Sequence, residues 1–281
     1  MKYKLLTLVL IILIMTTPAL GALNEYEAAT AAAKYQYDNE LARAYGPYTY
    51  LNHPYFYVEF ATAGTTTGVV IVDGISGNLV DNTDTARKIS YTHNVLKDID
   101  SSSVSSDAQD AADFRQLSKE MRDLNDEIDK NQLTTSIYLN ESEKQQMRDL
   151  SRVIVKMEIS ITNFANTLDK QVIAERDVLN GNKSYENSVK ITNGYKEMAR
   201  NADELIPIFK EFESIIGESL GIAELEVYND ELKRVEQELQ RSVNWDISSM
   251  ESRKNSVPGF GVLLAICAVL ITGVLIQKRR K

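Results

Sequence analysis

The sequence predicts an α+β N-terminal domain (a helix plus an antiparallel β-meander), then a long antiparallel α-helical or coiled-coil bundle, and a C-terminal transmembrane or sorting helix. Three observations carry this reading. Between residues 55 and 80, short alternating or β-branched runs are separated by glycine-containing turns. Beyond residue 106, apolar residues recur at spacings of three and four. Near the end, sixteen residues from Gly261 to Ile276 carry no charge, and the chain closes on Lys278-Arg279-Arg280-Lys281.

At the N-terminus, Lys2 and Lys4 precede the apolar run Leu5 to Met15 and the small-residue stretch Pro18-Ala19-Leu20-Gly21-Ala22. A charged start, a short apolar core and small residues make a signal peptide over 1–21; an uncleaved N-terminal anchor is the alternative. Residues 25–44 are alanine-rich and free of Gly and Pro, which predicts a helix ended by Gly46-Pro47. Tyr55 to Phe60 follows as a strand, with Phe56, Val58 and Phe60 on one face and Tyr55, Tyr57 and Glu59 on the other. Ala63-Gly64-Thr65 turns the chain into a β-branched strand over 66–73, and Gly74 to Gly77 turns it again into a short strand, Asn78-Leu79-Val80. Phe60 and Val70 are expected in the core of this domain, placed at 22–100.

A helix before this meander resembles the PepSY domain family. The likeness is carried by Tyr57-Val58-Glu59-Phe60, Gly68-Val69-Val70-Ile71-Val72-Asp73 and Ser76-Gly77-Asn78-Leu79-Val80, and it covers roughly residues 25–95. It implies a secreted or membrane-tethered, non-enzymatic module of a kind some of which are thought to restrain peptidases. Eight tyrosines lie between Tyr26 and Tyr57. They either pack helix on sheet or, at Tyr55 and Tyr57, form a contact face for a partner.

Ser101 to Ser106 is small and polar and is read as the domain boundary. After it, three seams follow the 3–4 alternation: Phe114, Leu117, Met121, Leu124, Ile128; then Met147, Leu150, Ile154, Met157, Ile161, Phe164, Leu168; then Leu225, Tyr228, Leu232, Val235, Leu239. Val189 to Leu220 is helical but irregular, with Pro207 expected to kink it or start a new turn. Breaks at 131–139, at Asn180-Gly181-Asn182 and at 217–221 leave about four long helices, packed up and down over 101–252. The second, near 141–180, would be about 60 Å long, which suggests a rod. Mixed charges beside the seams suit intramolecular closure or homo-oligomerisation. Asn140-Glu141-Ser142 and Asn182-Lys183-Ser184 are glycosylation sequons beside helix ends.

A short linker, 253–257, leads to the terminal segment 258–281. From Pro258 to Gln277 the chain spans about 30 Å as a helix, just enough for a bilayer core. Its basic end belongs on the cytoplasmic side, which puts everything before Pro258 outside. Pro258-Gly259-Phe260, the apolar helix and the basic end together resemble the PGF-CTERM sorting signal of archaeal surface proteins. The resemblance implies processing by an archaeosortase-like enzyme and attachment of a lipid anchor; a retained single span is the alternative. A long Thr-rich stretch often precedes the motif, and here only Ser248 to Ser256 stands in its place.

Residues 22–257 hold 40 acidic and 25 basic side chains, a net of −15, which argues against nucleic acid and anionic headgroups as partners. The single cysteine, Cys267, lies in the terminal apolar run, so the exported part has no disulfide and no thiolate chemistry. His53 and His93 stand forty residues apart without metal-ligand spacing. Asp110/Asp113 and Glu224/Glu226 read as solvated helix faces, and Asp81, Asn82 and Asp84 lack the spacing of a calcium loop. No catalytic, cofactor or metal site is predicted. The reading is a non-enzymatic cell-surface protein whose helical stalk presents a small binding head to a peptide, an envelope protein or another copy; the alternative is a sensory ectodomain working with a membrane signalling partner. An exposed sheet edge in the head would accept a peptide by strand addition.

Overall fold

The computed structural model describes residues 21–256 except 132 and 218–221. The signal segment, the terminal segment with Pro258, Gly259 and Phe260, and most of the break at 217–221 lie outside the described residues. Among the described residues, no helix is long and apolar enough to cross a membrane. The chain divides into a sheet unit, residues 21–90 with 243–256, and a helical unit, residues 91–242.

The sheet unit opens on α1, Glu25–Ala32, where Asn24 and Glu27 cap each other's backbone N–H at 2.9 Å. A single 3₁₀ turn, Ala33–Tyr35, ends it. The expected helix over 25–44 is therefore too long. Residues Leu41–Tyr50 form β1, paired antiparallel with β2, His53–Thr62, which pairs with β3, Thr65–Asp73. Tertiary pairing overrides the helix propensity of the Leu41–Ala44 stretch, and Tyr45, Tyr48, Thr49 and Tyr50 suit a strand better than a helix. Gly46-Pro47 does not end a helix but marks an irregularity within β1, where the register with β2 shifts. Ala63 and Gly64, at φ +50° and +81°, make the expected tight turn. The third strand expected at Asn78–Val80 reduces to one bridge between Val72 and Leu79. The sheet order is thus β1-β2-β3, and the missed strand is the first.

Phe56, Val58 and Phe60 are buried on one face, as expected, and so is Val70. Tyr57 and its register partner Ile71, on the opposite face, are buried as well. Four consecutive residues of β3, Val69 to Val72, are almost fully buried, so both faces of the sheet are covered. Helix α2, Thr83–Leu96, was not anticipated; its first half belongs to this unit.

The remaining piece of the sheet unit is the C-terminal part of the last described helix, α6, Ile222–Ser256. The expected linker at 253–257 is not a linker: Arg253 is helical and 2% exposed. Its guanidinium donates two parallel bonds to Glu40 at 2.8 Å and one to the Tyr35 carbonyl at 2.9 Å. It also lies 4.3 Å from the Phe60 ring centre and 4.6 Å from that of Tyr37. Gly68 makes the space, because a Cβ there would collide with the guanidinium. One and two turns earlier on α6, Ser249 accepts the Val69 N–H at 3.0 Å, and Asp246 accepts the Tyr57 hydroxyl at 3.1 Å and the Ser90 hydroxyl at 2.5 Å.

The helical unit contains the end of α2, then α3, Ser101–Lys130, α4, Glu141–Leu179, α5, Tyr185–Ile216, and the N-terminal part of α6. Ser101 to Ser106 is no boundary: Asp100 caps it by accepting the N–H groups of Ser102 and Ser103 at 2.8 Å, and the polar stretch becomes the start of α3. Asn140 and Ser184 cap α4 and α5, and Gly217, at φ +75°, ends α5. The irregular helix around Pro207 is one continuous helix with that proline inside. At 39 residues α4 is about 58 Å long.

Neighbouring helices run antiparallel, as cross-helix bonds descend on one while they ascend on the other. Ser118–Thr162 precedes Asn125–Ser151 between α3 and α4, Thr167–Asn201 precedes Lys156–Glu211 between α4 and α5, and Lys196–Glu236 precedes Lys210–Glu226 between α5 and α6. The seam residues fill the interior. One cluster joins Ala111, Phe164, Leu168, Met198, Ala202 and Leu232 from all four helices, and a second is centred on Ile154, Met157, Ile161 and Leu205.

The Arg253–Glu40 pair generates a direct test. Arg253→Ala leaves a buried carboxylate without its cation and should destabilise the sheet unit by about 3–5 kcal/mol, measured by denaturant unfolding. The pair Glu40→Leu with Arg253→Met should be less damaging than either single change. Arg253 holds the Glu40 carboxyl at about 2 rather than 4.5. Its contribution is therefore complete above pH 4.5 and is lost as pH falls towards 2, a loss that Glu40→Gln should abolish.

Candidate functional site

Two openings in the helical unit have the chemistry of binding sites. The first is an apolar cavity of about 390 Å³ between α3, α4, α5 and the start of α6. Phe114, Phe164, Phe209, Leu168, Leu225 and Tyr228 line it, and Asp110 and Glu224 are its charged residues. Phe114 and Phe164 stack obliquely with ring centres 4.7 Å apart. Asp110 and Glu224 are exposed, as their reading from sequence as solvated helix faces expects, and they also border this opening.

The second is a polar crevice of about 370 Å³, whose lining includes Asp107, Glu175, Thr192, Tyr195 and Glu238. It arises where the heptad seams stop being apolar. Continuing the spacing of α4 past Leu168 brings Gln171 and then Glu175 to interior positions, and extending the seam of α3 backwards from Phe114 reaches Ala111 and then Asp107. Gln171 and Glu175 are each only 2% exposed. Glu175 Oε1 accepts Gln171 Nε2 at 2.7 Å and the Tyr195 hydroxyl at 3.4 Å, whereas Glu175 Oε2 receives no donor among the described residues. The neighbour across from this carboxyl is another carboxyl, Asp107. Burial first, and then Asp107, push the Glu175 carboxyl up from 4.5 to about 7, against the opposing Gln171 bond. Gly194 permits the close approach of Gln171, since a Cβ there would collide with its carbonyl oxygen.

The residues singled out from sequence do not assemble into a site. Tyr57 is 5% exposed with its hydroxyl on Asp246, so it is a core residue and not part of a contact face; both sheet faces are covered, which the alternation alone did not reveal. Tyr55 is half-buried against the His53 ring at 4.8 Å. The β3 edge is not available for strand addition: Val69 N–H bonds Ser249, Ile71 O accepts Val80 N–H at 2.9 Å, and Asp73 N–H reaches Asn78 O at 2.8 Å. His53 contacts Asp73 at 2.7 Å. His93 is buried, and burial followed by the charge of Lys97 lowers its pKa to about 3. Asp84 pairs with Lys88, Asn82 accepts the Thr85 N–H, and Asp81 pairs with Lys254. Among the described residues no group of three or more His, Cys, Asp or Glu side chains is arranged to hold a metal ion. Asn140 and Asn182 are both exposed beside helix starts; Asn140 caps α4 through Oδ1, which leaves Nδ2 for a glycan.

No protein-family model matches the chain, and no curated protein or solved structure matches it either.

A raised carboxyl pKa sets a pH dependence opposite to that of Glu40. Glu175 takes up its proton more readily in the fold than in the unfolded chain, so its contribution is complete below pH 4.5 and is lost as pH rises through about 7. Glu175→Gln should raise the stability of the helical unit at pH 8 by roughly 2 kcal/mol and change it little at pH 4. Thermal unfolding at the two pH values checks this.

Proposed function

We propose that this chain is an exported, non-catalytic binding protein held at the outer face of a membrane, with its ligand taken up by the helical unit. The observation that carries the binding role is the apolar cavity among α3, α4, α5 and α6, lined by Phe114, Phe164, Phe209 and Leu225. A cavity of about 390 Å³ with an aromatic lining and few polar groups suits a small apolar molecule. Asp110 and Glu224 select against an anionic head, so the occupant is neutral or cationic rather than a fatty acid or phosphate.

Export and tethering rest on the sequence alone: a signal-like start, a terminal apolar run with a basic end, and the likeness of Pro258-Gly259-Phe260 to a PGF-CTERM signal, which calls for an archaeosortase-like processing enzyme. Glycans at Asn140 and Asn182 belong to the same reading. The sheet unit enters through its sequence likeness to PepSY modules, with an envelope protein, a peptide or a second copy as partner. The second reading is a sensory ectodomain with a membrane signalling partner; it is favoured by a cavity whose walls come from four separate helices, which a ligand would draw together.

Two measurements test this. Protease added to intact cells should cleave within residues 91–242, and complete protection would end the surface assignment. A neutral apolar fluorophore should bind the full chain saturably, and Leu225→Trp, which fills the cavity, should weaken it roughly tenfold without lowering the unfolding temperature. Unchanged binding in that variant would rule out the cavity as the site.

A further inference from the structure

We propose that the polar crevice around Glu175 is a binding site for a small organic cation bearing a primary ammonium group. Nothing in this depends on the apolar cavity or on export.

The floor of the crevice is a carboxyl without a cation. Glu175 is 2% exposed, its Oε2 has no donor among the described residues, and Asp107 stands beside it. A buried carboxylate in a folded protein is ordinarily paired, as Glu40 is with Arg253. Around Glu175 the facing groups come from every packed element, and none is a paired cation. From α3 there is Asp107; from α4, Gln171; from α5, Thr192 and Tyr195; from α6, Glu238 and Tyr228. The connection from α2 to α3 supplies Asp98 and the one lysine of the lining, Lys97, whose Nζ donates to Asn94 at 3.3 Å instead.

The shape and the donor count choose the ligand. About 370 Å³ accommodates a short aliphatic amine but not a folded segment. A primary ammonium brings three donors and a compact charge, which suits two adjacent carboxyls that, once ionised, offer acceptor oxygens only. A metal ion needs a closer ring of ligands than the described residues provide. Binding exchanges the proton that Glu175 holds for the ammonium, so the amine should bind more tightly above neutral pH and should release a proton below it.

Calorimetry on the full chain in detergent tests this at fixed ionic strength. At pH 8, n-butylamine and 1,4-diaminobutane should each bind with a saturable one-to-one isotherm, whereas tetramethylammonium, which has no N–H donor, and sodium should not. At pH 6, buffers of different ionisation enthalpy should reveal proton release on binding. Glu175→Gln, an isostere expected to keep the fold, should weaken amine binding roughly tenfold or more and remove the proton release. Asp107→Asn, at a less buried position, serves as the second variant and should weaken binding in the same direction. Equal binding of tetramethylammonium, unchanged affinity in both variants with unaltered unfolding temperature, or no saturable binding at pH 8 would overturn the proposal. So would saturable binding only of lysine-containing peptides, which would assign the crevice to a protein partner.

Discussion

The buried ion pair between Arg253 and Glu40 is the constraint on which the sheet unit depends. It joins residues 213 positions apart in a region with no cysteine, so the last described helix is held to the first domain without any covalent link. The pair explains several local choices at once. Gly68 carries no side chain because the guanidinium occupies that space. Glu40 must present its carboxylate inward, and Thr67 and the Tyr37 N–H complete its acceptor bonds at 2.5 and 2.8 Å. Helix α1 therefore stops before it, and the chain enters β1. Asp246, Ser249 and Arg253 lie three and four residues apart on one face of α6, so the orientation that seats the guanidinium also satisfies Tyr57, Ser90 and the β3 edge. A buried pair of this kind adds little net stability over an apolar one, but the loss of either member is costly, and its two-pronged geometry fixes one register of helix on sheet.

The helical unit buries charge in the opposite manner. Its seams are apolar for most of their length, and Phe114, Phe164, Ile154 and Ile161 close the interior as heptad packing requires. At one level, however, Gln171 and Glu175 take interior positions with the half-buried Asp107 beside them, and no cation from α3, α4, α5 or α6 meets them. The cost is paid in protonation: Glu175 is driven towards its neutral form. Polar groups on a seam are a known device for fixing helix register, but register is served by neutral, fully bonded side chains. Glu175 Oε2 and Gln171 Oε1 receive no donor among the described residues, which register does not require.

How much of this could be read from the chain follows from what local pattern encodes. The four long helices, their seams, the stops at Gly181 and Gly217, the turn at Ala63-Gly64 and the buried Phe60 and Val70 were all legible, since each is dictated within a few residues. Strand β1 was not, because residues 41–44 have helix propensity and become a strand only by pairing with residues 58–61 of β2. The sequence left Tyr57 open between packing and a contact face, because alternation shows which residues share a face but not whether the second face is covered. Ser101 to Ser106 looked like a linker because serine favours both loops and helix starts, and Asp100 decides between them. Arg253 looked like part of a short linker because nothing near it in the sequence announces a partner at Glu40. Glu175 was within reach of the sequence: the seam spacing that ended at Leu168 needed only two further steps to place an acid in the core.

The two openings of the helical unit are electrostatically connected through α3. Asp107 lines the polar crevice and Asp110, one turn on, lines the apolar cavity. Burial first, and then the charges of Asp107 and Asp113, raise the Asp110 pKa. The hydroxyl of Tyr228, a residue of the apolar cavity's lining, is pushed up to about 12, first by burial and then by Asp107, Asp110 and Glu175. A cation seated between Asp107 and Glu175 would lower the negative potential that all these groups share, releasing Asp110 towards its ordinary ionisation. The polar rim of the apolar cavity would change with it, and by reciprocity an occupant of that cavity that is sensitive to the charge on Asp110 would alter the affinity for the cation. If both proposed sites are filled, the single turn of helix from Asp107 to Asp110 is the path along which the charge at one would act on the other.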